Sequence, residues 1–587
     1  MLTIGQAIQE AVAKYPTQTH TYIDGAGNET TYTMVQLERR SAEIAAGLVA
    51  RGLRKGDRIG LILMDPEEFI TTFIAALRLG IVAVPLYPPM SMADLDAYIE
   101  KLVRITQNAD CKLLIASERI HKVLWQVVDR APSIKSLVEP KDLVSASHPT
   151  PEFPLCTADD MAFLQYTSGS TSDPKGVIVT HGSLWANCYA IGKQHIGLTP
   201  GKDKTVSWLP LYHDMGLIGF VCAPILLHID AVYIPTMRFL KRPSVWMDVI
   251  HRHRGTATFC PPFAPALAAR RAKPEDLERW DLSCLRLVGI GAEPIQPDGA
   301  RQFVELFSEH CGLPKNVIFP SYGMAEATLA IAAKPIDATM STLHIDTDHF
   351  RKEKRVRIVE PSEDSHEVVS CGITFPDHEI GIFAAPGQRL EDGQEGEIYF
   401  RGPSVTAGYF QNPEATKESF HDDGWLATGD LGFMMNGEVF VTGRIKDLII
   451  INGRNIHPQS IEWPIYEVEG VRPGNVVAFS VPGKTTEEVV LCIETTANPP
   501  EDLEQRVRDV VIREFGIPVA EVVLLSAGQL PKTSSGKLQR RQTRALYSSG
   551  EITSKAARTM GSTGSKLTVA KHVARSFVAR ARNLVQR

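Results

Sequence analysis

The sequence lacks the features of a secreted, membrane-spanning or nucleic-acid-binding protein. Its nine cysteines are scattered and form no CxxC pair, which indicates reduced thiols in a cytoplasmic protein. The net charge of −6 argues against bulk binding to nucleic acid. No basic start followed by an apolar core opens the chain, so no secretory signal is predicted.

Long apolar runs are also missing. The longest uncharged stretch, 215–229, is interrupted by Gly216, Gly219, Pro224 and His228. A membrane-spanning helix needs about 20 predominantly apolar residues. We therefore expect an internal helix beside a pocket.

What the chain does contain is enough apolar sequence for several domains. It has 587 residues, of which 44% are hydrophobic and 22% charged, as in ordinary globular proteins. Residues 32–49 and 67–79 have helical apolar spacing, whereas 56–64 and 82–86 have the pattern of buried strands. This alternation predicts an α/β fold with a parallel sheet flanked by helices.

One polar stretch between two apolar runs points to phosphate. Residues 166–177 read Tyr-Thr-Ser-Gly-Ser-Thr-Ser-Asp-Pro-Lys-Gly-Val. Small residues let backbone N–H groups approach an anion, hydroxyls add donors, and Lys175 adds charge. The Walker pattern does not fit, because Lys175 precedes a glycine. A polyphosphate loop and a polar hairpin turn both remain open on these residues alone.

Two further motifs follow strand-like runs. In the segment 207–219, His213-Asp214 suits a carboxylate-binding corner, but the spacing alone favours a surface turn or a helix cap by Asp214. In 285–294, Gly289 and Gly291 would admit a flat ring against the backbone, although the third glycine of a dinucleotide fingerprint is missing.

Three motifs in the second half carry isolated charged groups. In 321–329, which closes a strand and begins an apolar helical run, Glu326 either serves a ligand or complements a helix N-terminus. In 425–432, Asp430 either fixes a turn or accepts the two hydroxyls of a ribose. In 530–540, Lys537 follows Ser-Ser-Gly on a polar loop that is either functional or a solvated tail loop.

Taken in order, these strings resemble the motifs of the adenylate-forming enzymes, which include acyl-CoA synthetases, luciferases and peptide-synthetase adenylation domains. Within that group, Leu-Tyr-His-Asp-Met-Gly-Leu at 211–217 and Tyr-Gly-Met-Ala-Glu-Ala-Thr-Leu at 322–329 are similar to fatty acyl-AMP ligases. An added segment at about 334–370 looks like the insertion that separates these ligases from acyl-CoA synthetases, where it restrains the C-terminal domain and disfavours CoA transfer.

The resemblance implies a domain plan. Residues 1–442 would form a large adenylation domain of parallel-sheet α/β subdomains plus a distorted barrel. Residues 443–447 would be a hinge, and 448–545 a small mobile α+β domain.

The resemblance also implies site residues. The catalytic candidates are Lys537, His213, Glu326 and Lys175, with Glu326 as the Mg²⁺ ligand. The nucleotide candidates are Thr167, Ser168, Gly169, Ser170, Thr171, Gly291, Ala292, Glu293, Ser321, Tyr322, Gly323, Met324, Ala325, Asp430, Arg444 and Lys446. Trp208 and Met237 are candidate walls of an acyl pocket.

The implied reaction converts a medium- or long-chain fatty acid and ATP, with Mg²⁺, into acyl-AMP and pyrophosphate. The acyl group would then pass to the phosphopantetheine thiol of an acyl carrier protein or of a carrier domain in a polyketide or peptide synthase. Three alternatives stay open: an acyl-CoA synthetase that uses CoA, an amino-acid adenylation module, and a non-catalytic nucleotide-binding or scaffold protein.

For two further stretches, one rich in histidine and one basic, the sequence leaves several roles open. His344-Ile-Asp-Thr-Asp-His349 is either a metal cluster or an exposed strand face. The tail, 546–587, is strongly basic and has apolar residues at helical spacing. Such a helix would contact an anionic membrane surface, dock an acidic partner such as a carrier protein, or pack on its own domain.

Overall fold

The structure is a computed structural model. It describes residues 1–552 except 90–94, 146–147, 168–173, 363–364, 422, 452–453, 483–486, 518 and 534–535, together with Ser576 and Ala579; the side chains of residues 454 and 455 are left aside as well.

The first sheet has six strands. Their spatial order is Ser136–Val138, Cys111–Ala116, Arg58–Ile62, Val82–Pro85, Met161–Tyr166 and Gly176–Thr180. All neighbours are parallel except the last pair, which is antiparallel. The helices of this region are Met34–Ala50, Pro66–Arg78, Leu95–Asn108 and Glu118–Arg130. The alternation predicted from the sequence is thus confirmed.

Local signals in the sequence explain where these helices begin. The side chain of Asp65 accepts hydrogen bonds from the N–H groups of Glu67 and Glu68, and Pro66 occupies the first helical position. Thr33 and Gln36 form a reciprocal capping box at the start of Met34–Ala50. Both arrangements satisfy N–H groups that have no partner within the helix.

The second sheet has nine strands. Their order is Ile373–Thr374, Ala330–Ala333, Ile318–Gly323, Leu287–Ile290, Ala257–Cys260, Lys204–Ser207, Asp230–Tyr233, Thr19–Ile23 and Glu29–Thr33. From Ile318–Gly323 to Thr19–Ile23 the neighbours are parallel, and both edges are antiparallel. One buried apolar cluster includes Ile59 of the first sheet and Tyr233 of the second, so the two sheets share a core.

The helical elements of this second region are mostly short. They are Ile4–Lys14, His181–Cys188, Asp214–Leu217, Ala223–Leu227, Thr236–Lys241, Ser244–His253, Phe263–Arg271, Pro274–Arg279 and Pro297–Cys311. Tyr189–His195 and Ile218–Cys222 have π-helical hydrogen bonding. The uncharged run 215–229 is therefore internal helical structure, and no helix in the described part of the chain is long and apolar enough to cross a membrane.

A five-stranded antiparallel sheet follows, in the order Gln388–Arg389, Glu379–Ala385, Gly396–Arg401, Leu426–Met435 and Glu438–Arg444. The helix Pro413–Ser419 lies between its strands in sequence. Ahead of the sheet, 334–370 contains the hairpin Thr342–Asp346 with Ser365–Val369 and the helix Thr347–Glu353.

The remaining described chain has its own apolar core, which runs from Ile449 to Val522. It contains the hairpin Ile449–Ile451 with Arg454–Ile456 and a mixed sheet of Val471–Pro482, Glu487–Thr495 and Val519–Leu525. Its helices are Pro458–Tyr466, Leu503–Phe515 and Arg540–Ser548. We call the part before residue 443 the large lobe and the part from 448 to 552 the small lobe.

Two sequence predictions need comment here. The apolar run after Glu326 is not a helix: a short 3₁₀ turn at Ala325–Ala327 leads into the strand Ala330–Ala333. The histidine-rich stretch 344–349 is a strand end and a helix start, capped by Asp346. No group of three metal-binding side chains is found among the described residues.

Most of the basic tail lies outside the described residues. Of its last part only Ser576 and Ala579 are described, as buried helical residues. All nine cysteines are free thiols.

Candidate active site

Parallel strands of the two sheets end at one large cavity between the lobes. Thr167 follows Met161–Tyr166, and Gly291 follows Leu287–Ile290. The strand Ile318–Gly323 ends in the cavity wall itself. Ligands of α/β proteins bind beyond the carboxyl ends of such strands, so the sheets bring separate sequence motifs to one site.

The phosphate-loop motif is described only at its two ends. Ser168, Gly169, Ser170 and Thr171 lie outside the described residues. The N–H of Thr167 donates to the carbonyl of Lys175 over 3.4 Å, which closes the loop at its base. Both Thr167 and Lys175 line the cavity.

Lys175, Tyr409 and Glu326 form a chain of contacts. The Lys175 ammonium lies 4.9 Å from the ring centroid of Tyr409, and the Tyr409 hydroxyl donates to Oε1 of Glu326 over 2.7 Å. The strand Gly176–Thr180 holds Tyr409 in place through backbone bonds to residues 408 and 410. Burial raises the pKa of Glu326, as expected for a carboxyl group removed from water.

Thr406 fixes the turn that carries Glu326. Its N–H and its hydroxyl each donate to the Glu326 carbonyl over 2.9 Å. Glu326 is thus held through its backbone and its side chain by residues from the segment 402–410. The carboxylate is presented to the cavity in a defined orientation.

Asp430 is the centre of a second group of hydrogen-bonded side chains, on the strand Leu426–Met435 of the five-stranded sheet. Its Oδ2 accepts a 2.8 Å hydrogen bond from the Tyr322 hydroxyl, and its Oδ1 accepts one of 2.9 Å from Nε of Arg444. Burial raises the pKa of Tyr322 well above its usual value, so the phenol stays a donor. Asp430 is buried, and the long-range contact between 322 and 430 joins two motifs predicted separately.

The wall between these groups is formed by backbone. A Cβ on Gly291 would lie 2.7 Å from the carbonyl oxygen of Ser321, so only glycine fits there. The next residue, Ala292, has φ of +76°, a conformation that non-glycine residues adopt at a cost. Glu293, Gly323, Met324 and Ala325 also line the cavity.

His213 also lines the cavity and lies just before the helix Asp214–Leu217. The Gln165 side chain at the end of its strand donates to the carbonyl of Tyr212 over 2.9 Å, which ties this segment to the phosphate loop. Burial lowers the pKa of His213 to about 4. The charge of Asp214 opposes this shift, whereas the charges of Lys537 and Lys101 add to it. The imidazole is therefore neutral at pH 7.

Lys537 reaches this cavity from the small lobe. Its N–H donates to the Thr533 hydroxyl over 3.0 Å, and its carbonyl accepts from the Thr533 N–H over 2.7 Å. Gly536, at φ +91°, has Phe263 of the large lobe 3.4 Å from the position of a Cβ. The loop thus packs against the helix Phe263–Arg271, and Lys537 acts electrostatically on both His213 and Glu293.

Comparison with known proteins agrees with this geometry. The profile of the AMP-binding enzyme family matches residues 8–410. The chain belongs to this AMP-binding enzyme family. It is 34% identical to a putative acyl-CoA synthetase of Caulobacter vibrioides over 559 residues, which cover 92% of this chain and 96% of that protein.

Two further similarities extend over most of the chain. A long-chain-fatty-acid–AMP ligase of Mycobacterium marinum is 34% identical over 551 residues, covering 88% of this chain and 91% of that protein. A solved structure from a study of fatty acyl-adenylate ligases from E. coli and L. pneumophila superimposes with a TM-score of 0.87 at 33% identity, covering 94% and 98% of the two chains. The adenylate-forming superfamily and its α/β fold, expected from the motifs, are confirmed.

In this AMP-binding enzyme part of the cavity wall within the large lobe is apolar, and we call this part the apolar arm. Its lining is mostly aliphatic and aromatic: Cys188, Ile191, Ile196, Leu198, Gly219, Phe220, Ala223, Ala257, Phe259 and Leu329. Both π-helical segments contribute to it. π-Bulges recur at functional sites.

The two residues predicted to wall an acyl pocket lie elsewhere. Trp208 is buried and stacks on Phe239 with 3.7 Å between ring centroids. Met237 is 45% exposed. Neither belongs to the described lining of the cavity, because the chain after Lys204–Ser207 turns Trp208 into the core of the second sheet.

Lys446, in the predicted hinge 443–447, lies in the turn Ile445–Asp447. Lys446 is exposed, and its neighbour Asp447 pairs with Arg540 at 3.5 Å and with Arg541 at 3.7 Å. The turn is thus linked by charge to the segment that follows Lys537.

Sequence reasoning missed Tyr409, Thr406 and Gln165. Tyr409 follows the strand Gly396–Arg401 and belongs to none of the motifs identified above. Its contact with Glu326 spans 83 residues of the sequence, so no local sequence pattern indicates that contact.

Proposed function

We propose that this enzyme joins a medium- or long-chain fatty acid to ATP, forming acyl-AMP and releasing pyrophosphate. The observation that carries the proposal is one cavity that is lined by three polar pairs and by the apolar arm. The pairs are Lys175 with Glu326, Asp430 with Tyr322, and Lys537 with His213. Polar groups suited to a nucleotide and an apolar channel suited to an alkyl chain meet where a carboxylate would lie.

In the proposed step a carboxylate oxygen of the fatty acid attacks the α-phosphorus of ATP. A new P–O bond forms, the bond to the β-phosphate oxygen breaks, and that oxygen keeps the electron pair. Both reactants are anions, so positive groups must offset their repulsion and hold them in line. Lys175 and Lys537 provide charge from the two lobes, and Thr167 to Thr171 provide donors.

The other residues position the reactants. Asp430 would accept hydroxyls of the ribose, while Gly291, Ala292 and Ser321 to Ala325 would pack against adenine. Neutral His213 would donate a hydrogen bond to the carboxylate or to the α-phosphate. Arg444 pairs directly with Asp430 and holds its carboxylate in place.

Mg²⁺ belongs to this proposal, and Glu326 fits it as a ligand. Mg²⁺ takes oxygen ligands and is usually held by one or two carboxylates together with phosphate and water. A single well-oriented carboxylate beside the phosphate loop agrees with that requirement. When bound, the ion would neutralise charge on the phosphate oxygens.

We further propose transfer of the acyl group to the phosphopantetheine thiol of a carrier protein or carrier domain. The segment 334–370 supports this through its contacts with the small lobe. The Arg351 guanidinium lies 4.4 Å from the ring centroid of Phe515, and His366 stacks on Trp463 at 5.5 Å. Such contacts would hold the lobe against the rotation that CoA transfer needs. The free cysteines fit a cytoplasmic location.

A long-chain acyl-CoA synthetase is the second candidate, favoured by the name of the Caulobacter relative. Both candidates share the first step and differ only in the acceptor thiol.

Mass spectrometry of products tests both steps. Purified enzyme is incubated with ATP, Mg²⁺ and fatty acids of mixed chain length, without acceptor, with CoA, or with a holo carrier protein. We expect acyl-AMP in the first reaction and acyl transfer to the carrier but not to CoA. Enzyme that binds ATP yet yields no acyl-AMP from any long-chain acid contradicts the proposed activity, and efficient acyl-CoA formation contradicts the choice of acceptor.

A further inference from the structure

A second lysine of the large lobe faces the same cavity as Lys175. Lys101 lies in the helix Leu95–Asn108, is half-buried, and lines the cavity together with Thr167 and Lys175. No motif identified from the sequence includes it.

The packing of this helix fixes where Lys101 stands. The Lys101 ammonium lies 5.1 Å from the ring centroid of Tyr87, within cation–π range. The Tyr98 hydroxyl donates to the Tyr87 carbonyl over 2.9 Å. At the end of the helix, Asn108 accepts a hydrogen bond from the Tyr166 hydroxyl. The helix is thus attached to the ends of two neighbouring strands.

Those strand ends lead directly to the phosphate loop. The strands Val82–Pro85 and Met161–Tyr166 are parallel neighbours, with Ala83 opposite Phe163. Tyr87 and Thr167 each come four residues after that pair, so they leave the sheet side by side. The lysine over Tyr87 therefore overlooks the entry of the loop at Thr167.

The electrostatic surroundings of Lys101 bear on what it binds. In the part of the chain that the structure describes, no Asp or Glu lies within ion-pair distance of its ammonium, and burial lowers its pKa. Its charge acts on His213, another residue of the cavity lining. Burying a cation is costly unless a counter-charge is present, and an anion in the cavity would provide one.

We propose that Lys101 binds the terminal phosphates of ATP and, after the reaction, the leaving pyrophosphate. This inference rests on the proposed function and adds a ligand to it. Lys101 stands over Tyr87, beside the entry of the phosphate loop at Thr167. Lys537 instead comes from the small lobe, and its charge acts on Glu293 as well as on His213. The terminal phosphates are the part of the nucleotide that AMP and acyl-AMP lack, which gives the inference its test.

Binding measurements on three variants provide that test. Lys101→Met keeps the length of the side chain but removes the charge, and Lys101→Arg keeps the charge. Lys112→Met is a matched control, because Lys112 lies on Cys111–Ala116, the strand that follows the helix of Lys101 in the chain, and pairs with Asp110 at 3.2 Å. Affinities for ATP, inorganic pyrophosphate and AMP are measured by calorimetry, with thermal unfolding to verify the fold.

We expect Lys101→Met to weaken ATP and pyrophosphate binding by about 10- to 100-fold, the loss typical of one hydrogen bond to a charged group. AMP binding should stay within about twofold, and Lys101→Arg should retain most of the ATP affinity. Lys112→Met should match the wild type for all three ligands.

Unchanged ATP and pyrophosphate binding in Lys101→Met overturns the inference. An equal loss for AMP also overturns it, because that result assigns Lys101 to the α-phosphate or to the structure of the cavity. Neither readout requires turnover. Failure of the wild type to form acyl-AMP would refute the proposed function, and is a different result from failure of the binding pattern.

Discussion

The two sides of the cavity are built differently. On the large lobe, Lys175 stands at the start of a strand, and Tyr409 and Thr406 fix the turn of Glu326 through hydrogen bonds and packing. On the small lobe, Lys537 stands on a loop beside Phe263 and is hydrogen-bonded to Thr533 of the same loop. One side is anchored in sheets and the other is docked. We expect the anchored side to determine binding and the docked side to determine rate.

The largest expected effect is on the docked side. Lys537→Ala should slow acyl-AMP formation by about 10²–10³-fold, as for the loss of one preorganised charge donor, with little change in ATP affinity. Arg506→Ala is the control, because Arg506 is exposed on the same lobe and pairs with Asp502 at 2.9 Å. Single-turnover kinetics with calorimetry measures both quantities. If Lys537→Ala lost ATP affinity but formed acyl-AMP at the wild-type rate, the docked side would determine binding and not rate.

The next effect concerns the apolar arm of the anchored side. Gly219 lines it, and a Cβ there would meet only Leu329, at 3.6 Å. Gly219→Leu should fill the arm and lower kcat/KM for long acids by about fourfold for each methylene displaced, since a buried CH₂ contributes about 0.8 kcal/mol. Gly219→Ala is the control and should leave chain-length preference unchanged. Equal losses for short and long acids would mean that the arm does not hold the alkyl chain.

The docking of the small lobe should depend on pH. Burial lowers the pKa of His366, which stacks on Trp463, to about 4. In the unfolded chain the group titrates near 6.5, so the unfolded state takes up the proton first. Stability contributed by neutral His366 is complete above pH 6.5 and is lost as the pH falls towards 4, by at most about 1.4 kcal/mol per pH unit. Denaturant unfolding of wild type and His366→Phe between pH 4 and 8 measures the difference, and identical pH profiles would exclude His366.

The smallest effect tests one bond on the anchored side. Tyr322→Phe keeps the aromatic ring but removes the hydroxyl that donates to Asp430. The loss should be about 1 kcal/mol in AMP binding or in the free energy of unfolding. The rate of acyl-AMP formation at saturating ATP should hardly change. A large loss of that rate would show that the anchored side also governs the chemical step.

Sequence patterns correctly predicted the alternating helices and strands of the first sheet, because helical and strand periodicity is a local property of the sequence. They failed where distant contacts decide. The apolar run after Glu326 has no feature that excludes a helix, yet it pairs as a strand with Ile318–Gly323. Trp208 is a plausible pocket wall by type, but its stacking on Phe239 buries it. Lys101 lies on an ordinary amphipathic helix, and only the sheet order brings it towards Thr167.

The ion pairs of Asp447 have a mechanical consequence. Asp447 sits in the turn that joins the lobes and pairs with Arg540 and Arg541, while Arg540 also binds Glu462 at 2.6 Å. Lys537 is three residues from Arg540 in the chain. If these ion pairs persist when the turn rotates, the turn and the Lys537 ammonium move together. The same rotation would then withdraw the Lys537 charge from the reactants and open a path for the acceptor thiol.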